Sequence, residues 1–439
     1  MKESWSSQFG FALAAIGSAV GLANILRFPY LVGNYGGGAF IAIYLISLFV
    51  VSVPTFICEV AIGQRTQEGP QGAFAQLGKN TPLKKLGIWQ VITAFIVSSF
   101  YAVLAGWILG YFIEAISGSL MSLSNIEDAR IHYNSLLSSV SWTLGFHALF
   151  VAICLLILFQ GLRDGLEKFN KIFTPLLFVV LIVILIISLQ MPKAKEAMIF
   201  LFNPDWNALS MEVFLIALGQ SFFTLSAGQG TMITYGSYLS KKHKIAKGLS
   251  SIVLSDTLVS ILSAIIVFSI VISADMETTG DLGLLFKTLP VVFANAGGFG
   301  TVLSISFFSL VFLAAITSEI SAIEPVILFL RNKLNYSRQK AAVISCGMIY
   351  LAGLPCALST NVLKDIVLGG KDLMGIIDYV ATAILIPIGG LLSVLLVGWC
   401  WKPKNILENM PNRLNIAMKF LIKFLIPVFI LFVAISEFS

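Results

Sequence analysis

Charge is what this sequence has least of. Asp, Glu, Lys and Arg make up 11% of its 439 residues, against about a quarter in a soluble globular chain. So few charged groups cannot cover a folded surface that water must solvate, and a soluble fold of this size is excluded. Histidine is scarcer still. His132, His147 and His243 are too dispersed for a metal site. The five cysteines, at 58, 154, 346, 356 and 400, have neither paired metal-ligand spacing nor the density of a disulfide scaffold. No nucleophile–base group and no phosphate-binding loop stands out, so neither enzyme chemistry nor an organic cofactor is expected.

What the chain has instead is apolar length. Hydrophobic residues make up 57% of it, with 34 Phe spread throughout, and the mean hydropathy is +0.92. Crossing about 30 Å of hydrocarbon takes about 20 helical residues. The runs predict eleven spans: 9–30, 39–62, 87–115, 141–160, 165–189, 208–239, 248–273, 300–330, 341–357, 375–399 and 418–437. The first run has little basic sequence before it and no small-residue cleavage site after it, so it is expected to stay in the protein. Segment 277–299, broken by Pro290 and glycines, reads as an external loop with short helices. With the amino terminus inside, Lys and Arg collect about three to one on cytoplasmic segments. The carboxyl terminus then lies outside, in a plasma (inner) membrane. The net charge of +6 therefore faces anionic lipid, not nucleic acid.

Two spans are interrupted. In the first, Gly17, Ser18, Ala19, Gly21 and Ala23 precede Asn24 and Arg27. A small-residue packing face explains the glycines and alanines, but polar groups at membrane depth are expensive unless paired. A break around Ser18–Ala23 would expose carbonyls for a cation and amides for a carboxylate, as in discontinuous transporter helices. The sixth span repeats the pattern with Ser226, Ala227, Gly228, Gln229 and Gly230. Such backbone is tolerated only beside protein or a cavity. Spans 1–5 and 6–10 would then be repeats, each opening on a broken helix, with the last span peripheral.

GSAVGLANILRFPYLVGNYGGGAF at 17–40, GQSFFTLSAGQGTMITYGSY at 219–238 and AAITSEISAIEP at 314–325 resemble the first, sixth and eighth helices of the neurotransmitter:sodium symporter family, on its prokaryotic branch. The likeness runs from Trp5 to the tenth span. It implies an all-α integral membrane fold of one transporter domain over 1–439. Inverted five-helix repeats would occupy 9–189 and 208–399, and 418–437 would be an added helix. It also implies alternating access and sodium-coupled uptake of amino acids or related amines.

The resemblance places one sodium against Ala19, Asn24, Thr224 and Asp256. A second carries over to Gly17, Val20, Ala314, Thr317 and Ser318. Hard oxygen donors suit Na⁺, and an unpaired intramembrane carboxylate such as Asp256 has no structural motive. Chloride-requiring members use positions matching Tyr44, Gln220, Thr224, Asp256 and Ser260, with Asn where Asp256 stands. A fixed carboxylate there would repel an anion, so chloride independence is expected. Gly165 and Pro175 match a spacing that marks local unwinding of the fifth helix.

By the same likeness, Gly21, Leu22, Ala23 and Tyr101 would cradle a substrate carboxylate. Ala19, Phe223, Thr224 and Ser226 would hold its ammonium. Val97, Tyr101, Phe223, Ser226, Gln229, Ser318 and Ala322 would select its side chain. Gly21 stands where a biogenic-amine carrier has Asp, which favours a free amino acid. Ala322 suggests depth for a large aliphatic or aromatic side chain. Arg27 and Asp378 would form the outer gate over Tyr101 and Phe223. Lys2, Trp5 and Tyr235 would form the inner latch, with Asn332 in place of the usual acid. Glu319 receives no role. A channel and a non-transporting sensor are the competing readings. The expected partners are an amino acid and membrane lipid, with monomer and homodimer both open.

Overall fold

The computed structural model describes residues 3–243, 245–275, 284–402 and 412–436. The apolar runs fold into helices α1 (Gln8–Ala19), α2 (Ala23–Asn34), α3 (Gly38–Thr66), α4 (Pro82–Ser117), α5 (Val140–Phe159) and α6 (Leu162–Leu189). There follow α7 (Met211–Thr224), α8 (Thr231–Ser237), α9 (Gly248–Ser273), α10 (Gly297–Leu334), α11 (Arg338–Ala357), α12 (Leu373–Trp401) and α13 (Asn415–Phe432). Among the described residues, nine of these are long and apolar enough to cross a membrane alone, and the bent pair α1–α2 makes a tenth. The difference from eleven lies in the sixth expected span. It is two separate helices of 14 and 7 residues, each too short to span alone.

Expected loop 277–299 contains the short helices Leu284–Thr288 and Leu289–Ala294, while 277–283 lie outside the described residues. Near Gly165 the chain forms a widened turn, Leu162–Glu167, and α6 then stays helical through Pro175. The local irregularity therefore sits at the glycine end. Leu156, Val179 and Ile186 on α5 and α6 are exposed, as a lipid-facing belt requires.

The broken helices occupy the middle. α1 packs on α9, α10 and α6; α7 and α8 pack on α3; and α4 runs along α10 in the most extensive helix pair. α1 and α2 meet at 46°, with Val20 extended at φ −81°, ψ 95°. In the second break, Ser226, Gly228 and Gly230 have φ of 51°, 84° and 77°, where glycine carries no steric penalty. Gly228 also lies so close to α12 that a Cβ there would come within 2.1 Å of the Ile386 carbonyl oxygen. Its freed amide donates to Glu59 at 3.0 Å, and Gln90 and Ser393 donate to the same carboxylate oxygen at 3.1 and 2.9 Å. A buried acid on α3 thus satisfies backbone that no helix can.

Candidate functional site

The two breaks face one another across buried oxygen. Ser226 and Ser318 both donate to the Ser18 carbonyl, at 3.0 and 2.7 Å, tying α10 and both interrupted helices to one point. Beside it, Asn24, Thr224 and Asp256 converge. The Thr224 hydroxyl donates to Asp256 Oδ1 at 2.6 Å. Asn24 Nδ2 donates to Thr224 Oγ1 and Asp256 Oδ1, both at 2.7 Å, and to Ser260 Oγ at 2.9 Å. Tyr44 donates to Asp256 Oδ2 at 3.3 Å, and Gln220 donates to the Ala23 carbonyl at 2.8 Å. All of these side chains are buried. The electropositive amide nitrogen points at three oxygens. Asn24 Oδ1 accepts from the Gly21 backbone amide at 3.0 Å, which fixes the carboxamide with its nitrogen toward those oxygens and ties the first helix break to the cluster. Among the described residues, no cluster of three or more His, Cys, Asp or Glu could hold a metal ion.

The residues expected at a second cation site are less closely gathered. The Thr317 hydroxyl lies 3.1 Å from the Ala314 carbonyl oxygen, to which it donates. Ser318 instead turns to Ser18. Gly17 backs onto Asn170 and Thr174 of α6, two polar residues that the sequence reading did not single out. Val20 closes α1 by donating to the Ile16 carbonyl at 2.8 Å.

A cavity of about 30 Å³ lies against the breaks. Every residue expected to touch substrate lines it except Thr224, which belongs to the oxygen cluster, and Ser18 and Glu319 line it as well. Gly21 is what allows α10 to approach: a Cβ there would sit 2.4 Å from Ser318 Oγ. The Leu22 amide donates to Tyr101 OH at 3.3 Å. Tyr101 and Phe223 also line a second cavity of about 350 Å³ on the α2 side, so these two rings partition the small chamber from the large one.

Arg27 and Asp378 face the large cavity without an ion pair between them. The Arg27 guanidinium lies 5.3 Å from the Phe223 ring centroid. The expected outer pairing is therefore not made, because the wide chamber that both residues line lies between their helices. The opposite end is closed. Trp5 donates from its indole to the Tyr235 carbonyl at 3.0 Å and from its backbone to the Tyr238 carbonyl at 3.2 Å.

The inner charge pattern departs from expectation. Lys2 lies outside the described residues, and Asn332 donates to Glu68 at 2.9 Å. The ionic tie instead runs from Glu3 to Arg331, and to Arg338 at 3.3 Å. Arg338 grips Glu324 through its two terminal guanidinium nitrogens, one at 2.8 Å, while Tyr238 OH donates to Glu324 at 2.6 Å. Glu59 and Glu324 were missed in the sequence, although each is an intramembrane carboxylate. Like Asp256, each is a carboxylate that needs a partner at membrane depth.

The sodium:neurotransmitter symporter family pattern matches residues 2–131 and 130–439. The sodium-dependent transporter YhdH of Bacillus subtilis is 34% identical over 98% of this chain and 97% of its own. A sodium-dependent transporter of Haemophilus influenzae is 32% identical over 99% and 98%. The crystal structure of MhsT in complex with L-phenylalanine superposes with a TM-score of 0.92 at 36% identity, covering 99% of this chain and all of that one. With broken helices, an oxygen cluster and a shielded chamber in one place, the chain belongs to the sodium:neurotransmitter symporter family, a family of transporters and not of enzymes.

Proposed function

We propose that this chain carries a neutral, large hydrophobic or aromatic L-amino acid into the cell by alternating access, driven by Na⁺. The observation that carries the reading is the meeting of both helix breaks at one chamber, with Asn24, Thr224 and Asp256 in mutual contact beside it. Irregular backbone at membrane depth is tolerated only beside protein or a cavity, and discontinuous helices are where secondary transporters form their substrate and ion sites. The size class is supported by Ala322 at the chamber wall and by the L-phenylalanine bound to MhsT.

In this reading Ala19, Asn24, Thr224 and Asp256 hold one Na⁺, and Gly17, Val20, Ala314, Thr317 and Ser318 hold a second. Asp256 supplies the negative charge that chloride would otherwise bring. The eleven-span arrangement counts α7 and α8 as halves of one span, with repeats over 9–189 and 208–399 and a peripheral helix over 418–437. The amino terminus lies in the cytoplasm and the carboxyl terminus outside. Arg27 and Asp378 close over Tyr101 and Phe223 when the outer chamber collapses, and Trp5 and Tyr235 release when the inner end opens.

Purified protein in sealed vesicles, screened against the twenty amino acids with and without an inward Na⁺ gradient, tests this. Concentrative uptake of large neutral substrates only with the gradient is expected. Conductance without stoichiometric uptake, or binding without counterflow, would replace the proposal with a channel or a sensor.

A further inference from the structure

Glu319 is a buried acid that neither the sodium cluster nor the inner network uses. It is 1% exposed, lines the small chamber, and neither carboxylate oxygen accepts a hydrogen bond among the described residues. Gln229, on the facing break, also lines the chamber and leaves its Oε1 buried and unbonded. The Ser98 hydroxyl, likewise buried and unbonded, neighbours Glu319. No ion pair reaches Glu319 among the described residues.

The imbalance has a direction. Ser226 and Ser318 both donate to the Ser18 carbonyl, so those hydroxyls are not free for the chamber. Three unmatched acceptor oxygens then face it: Glu319 Oε1 and Oε2 and Gln229 Oε1. Buried acceptors left unmatched are strongly unfavourable, and a ligand that brings a donor relieves that penalty on binding. A ligand that lacks one seals the acceptors away from water and makes the penalty permanent.

The donor belongs to the substrate side chain. Ala322 lies three residues beyond Glu319 and four beyond Ser318 on α10, the spacing of neighbours on a helix surface, and all three line the chamber. The amino-acid backbone is served from the other side, by the break around Gly21 and Tyr101.

We infer that Glu319, with Gln229, reads a hydrogen-bond donor on the side chain of a neutral substrate, so that an aromatic amino acid carrying an N–H or O–H is preferred to phenylalanine. This rests on the symport reading above and names its substrate class more narrowly.

The test is equilibrium binding to the full-length protein at saturating Na⁺. The ligands are tryptophan, tyrosine, phenylalanine, lysine and β-(3-benzothienyl)alanine, in which sulfur replaces the indole N–H at nearly constant shape. Wild type should bind tryptophan at least about tenfold more tightly than the benzothienyl analogue, the ratio for one hydrogen bond to a charged group. Glu319→Leu should bring that ratio to about one, and Glu319→Gln, which keeps an acceptor, should retain most of it. A wild-type ratio near one overturns the inference, as does an unchanged ratio in Glu319→Leu or tighter binding of lysine than of tryptophan. If Glu319→Leu does not fold, the wild-type comparison decides alone. Absence of Na⁺-dependent binding for every amino acid would instead remove the symport reading beneath it.

Discussion

Tyr238→Phe removes one hydroxyl and tests how the Trp5 end of the bundle is held shut. That hydroxyl donates to Glu324 at 2.6 Å, and both residues are buried. It links the end of α8 to α10, so it must break if the two separate. A hydrogen bond to a charged group is worth about 1.5–3 kcal/mol. The lower figure applies here, because Arg338 still grips Glu324 through two nitrogens and the carboxylate is not orphaned. About 1.5 kcal/mol is roughly a tenfold rise in the open population. The Trp5 amide reports it directly, since it donates to the Tyr238 backbone carbonyl at 3.2 Å, an acceptor the substitution leaves intact. Hydrogen–deuterium exchange over residues 3–11 should accelerate about tenfold, while exchange in α5 and α11 stays unchanged. Glu3→Gln should act more weakly, about two- to fivefold, because its ion pair with Arg331 is partly exposed. High salt should mimic Glu3→Gln but not Tyr238→Phe. Unchanged exchange over 3–11 in Tyr238→Phe would refute the idea that this network fastens the inner end.

Three further outcomes are expected. Ala322→Ile should fill the chamber wall and weaken large ligands by about 1–3 kcal/mol while sparing alanine; equal changes for alanine, leucine, tyrosine and tryptophan would show that residue 322 does not set size. Uptake should persist when gluconate replaces chloride, and Asp256→Asn should weaken Na⁺ activation and create a chloride requirement through Tyr44, Gln220 and Ser260. Titrations of both ions check this, and chloride-dependent wild-type uptake at saturating Na⁺ would count against the fixed-carboxylate account. Gly228→Ala should lower the thermal midpoint markedly, because a Cβ would meet the Ile386 carbonyl at 2.1 Å and φ is 84°, strain of at least about 1–3 kcal/mol; a wild-type melting curve would mean that the second break packs differently.

Membrane class, the span runs and the two interruptions were legible from the sequence because they depend on local composition. A run of about 20 apolar residues has one stable environment, and Gly, Ser and Asn together inside such a run mark backbone that leaves the helix. Asp256 was legible for a related reason: an intramembrane carboxylate needs a partner wherever the chain folds. Which partner it finds is a different kind of fact. Asn24 and Asp256 are 232 residues apart, and only the packing of α2 against α9 brings them to 2.7 Å.

The same division explains the inner end. The family resemblance suggested Trp5 and Tyr235 there, but it could not show that Asn332 faces Glu68 while Arg338 reaches across to Glu324 and Glu3. Long flexible charged side chains choose among several neighbours, and that choice depends on helix rotation, which no residue spacing along one helix records. The wide chamber lined by Arg27 and Asp378 is likewise a property of the tertiary structure. Arg27 and Asp378 have complementary charges in any conformation, yet whether they touch depends on how far apart α2 and α12 stand. Composition decided that this chain lives in a membrane and where its helices break; the packing of distant helices decided which oxygens meet, which end is closed, and which buried acid is left facing the small chamber.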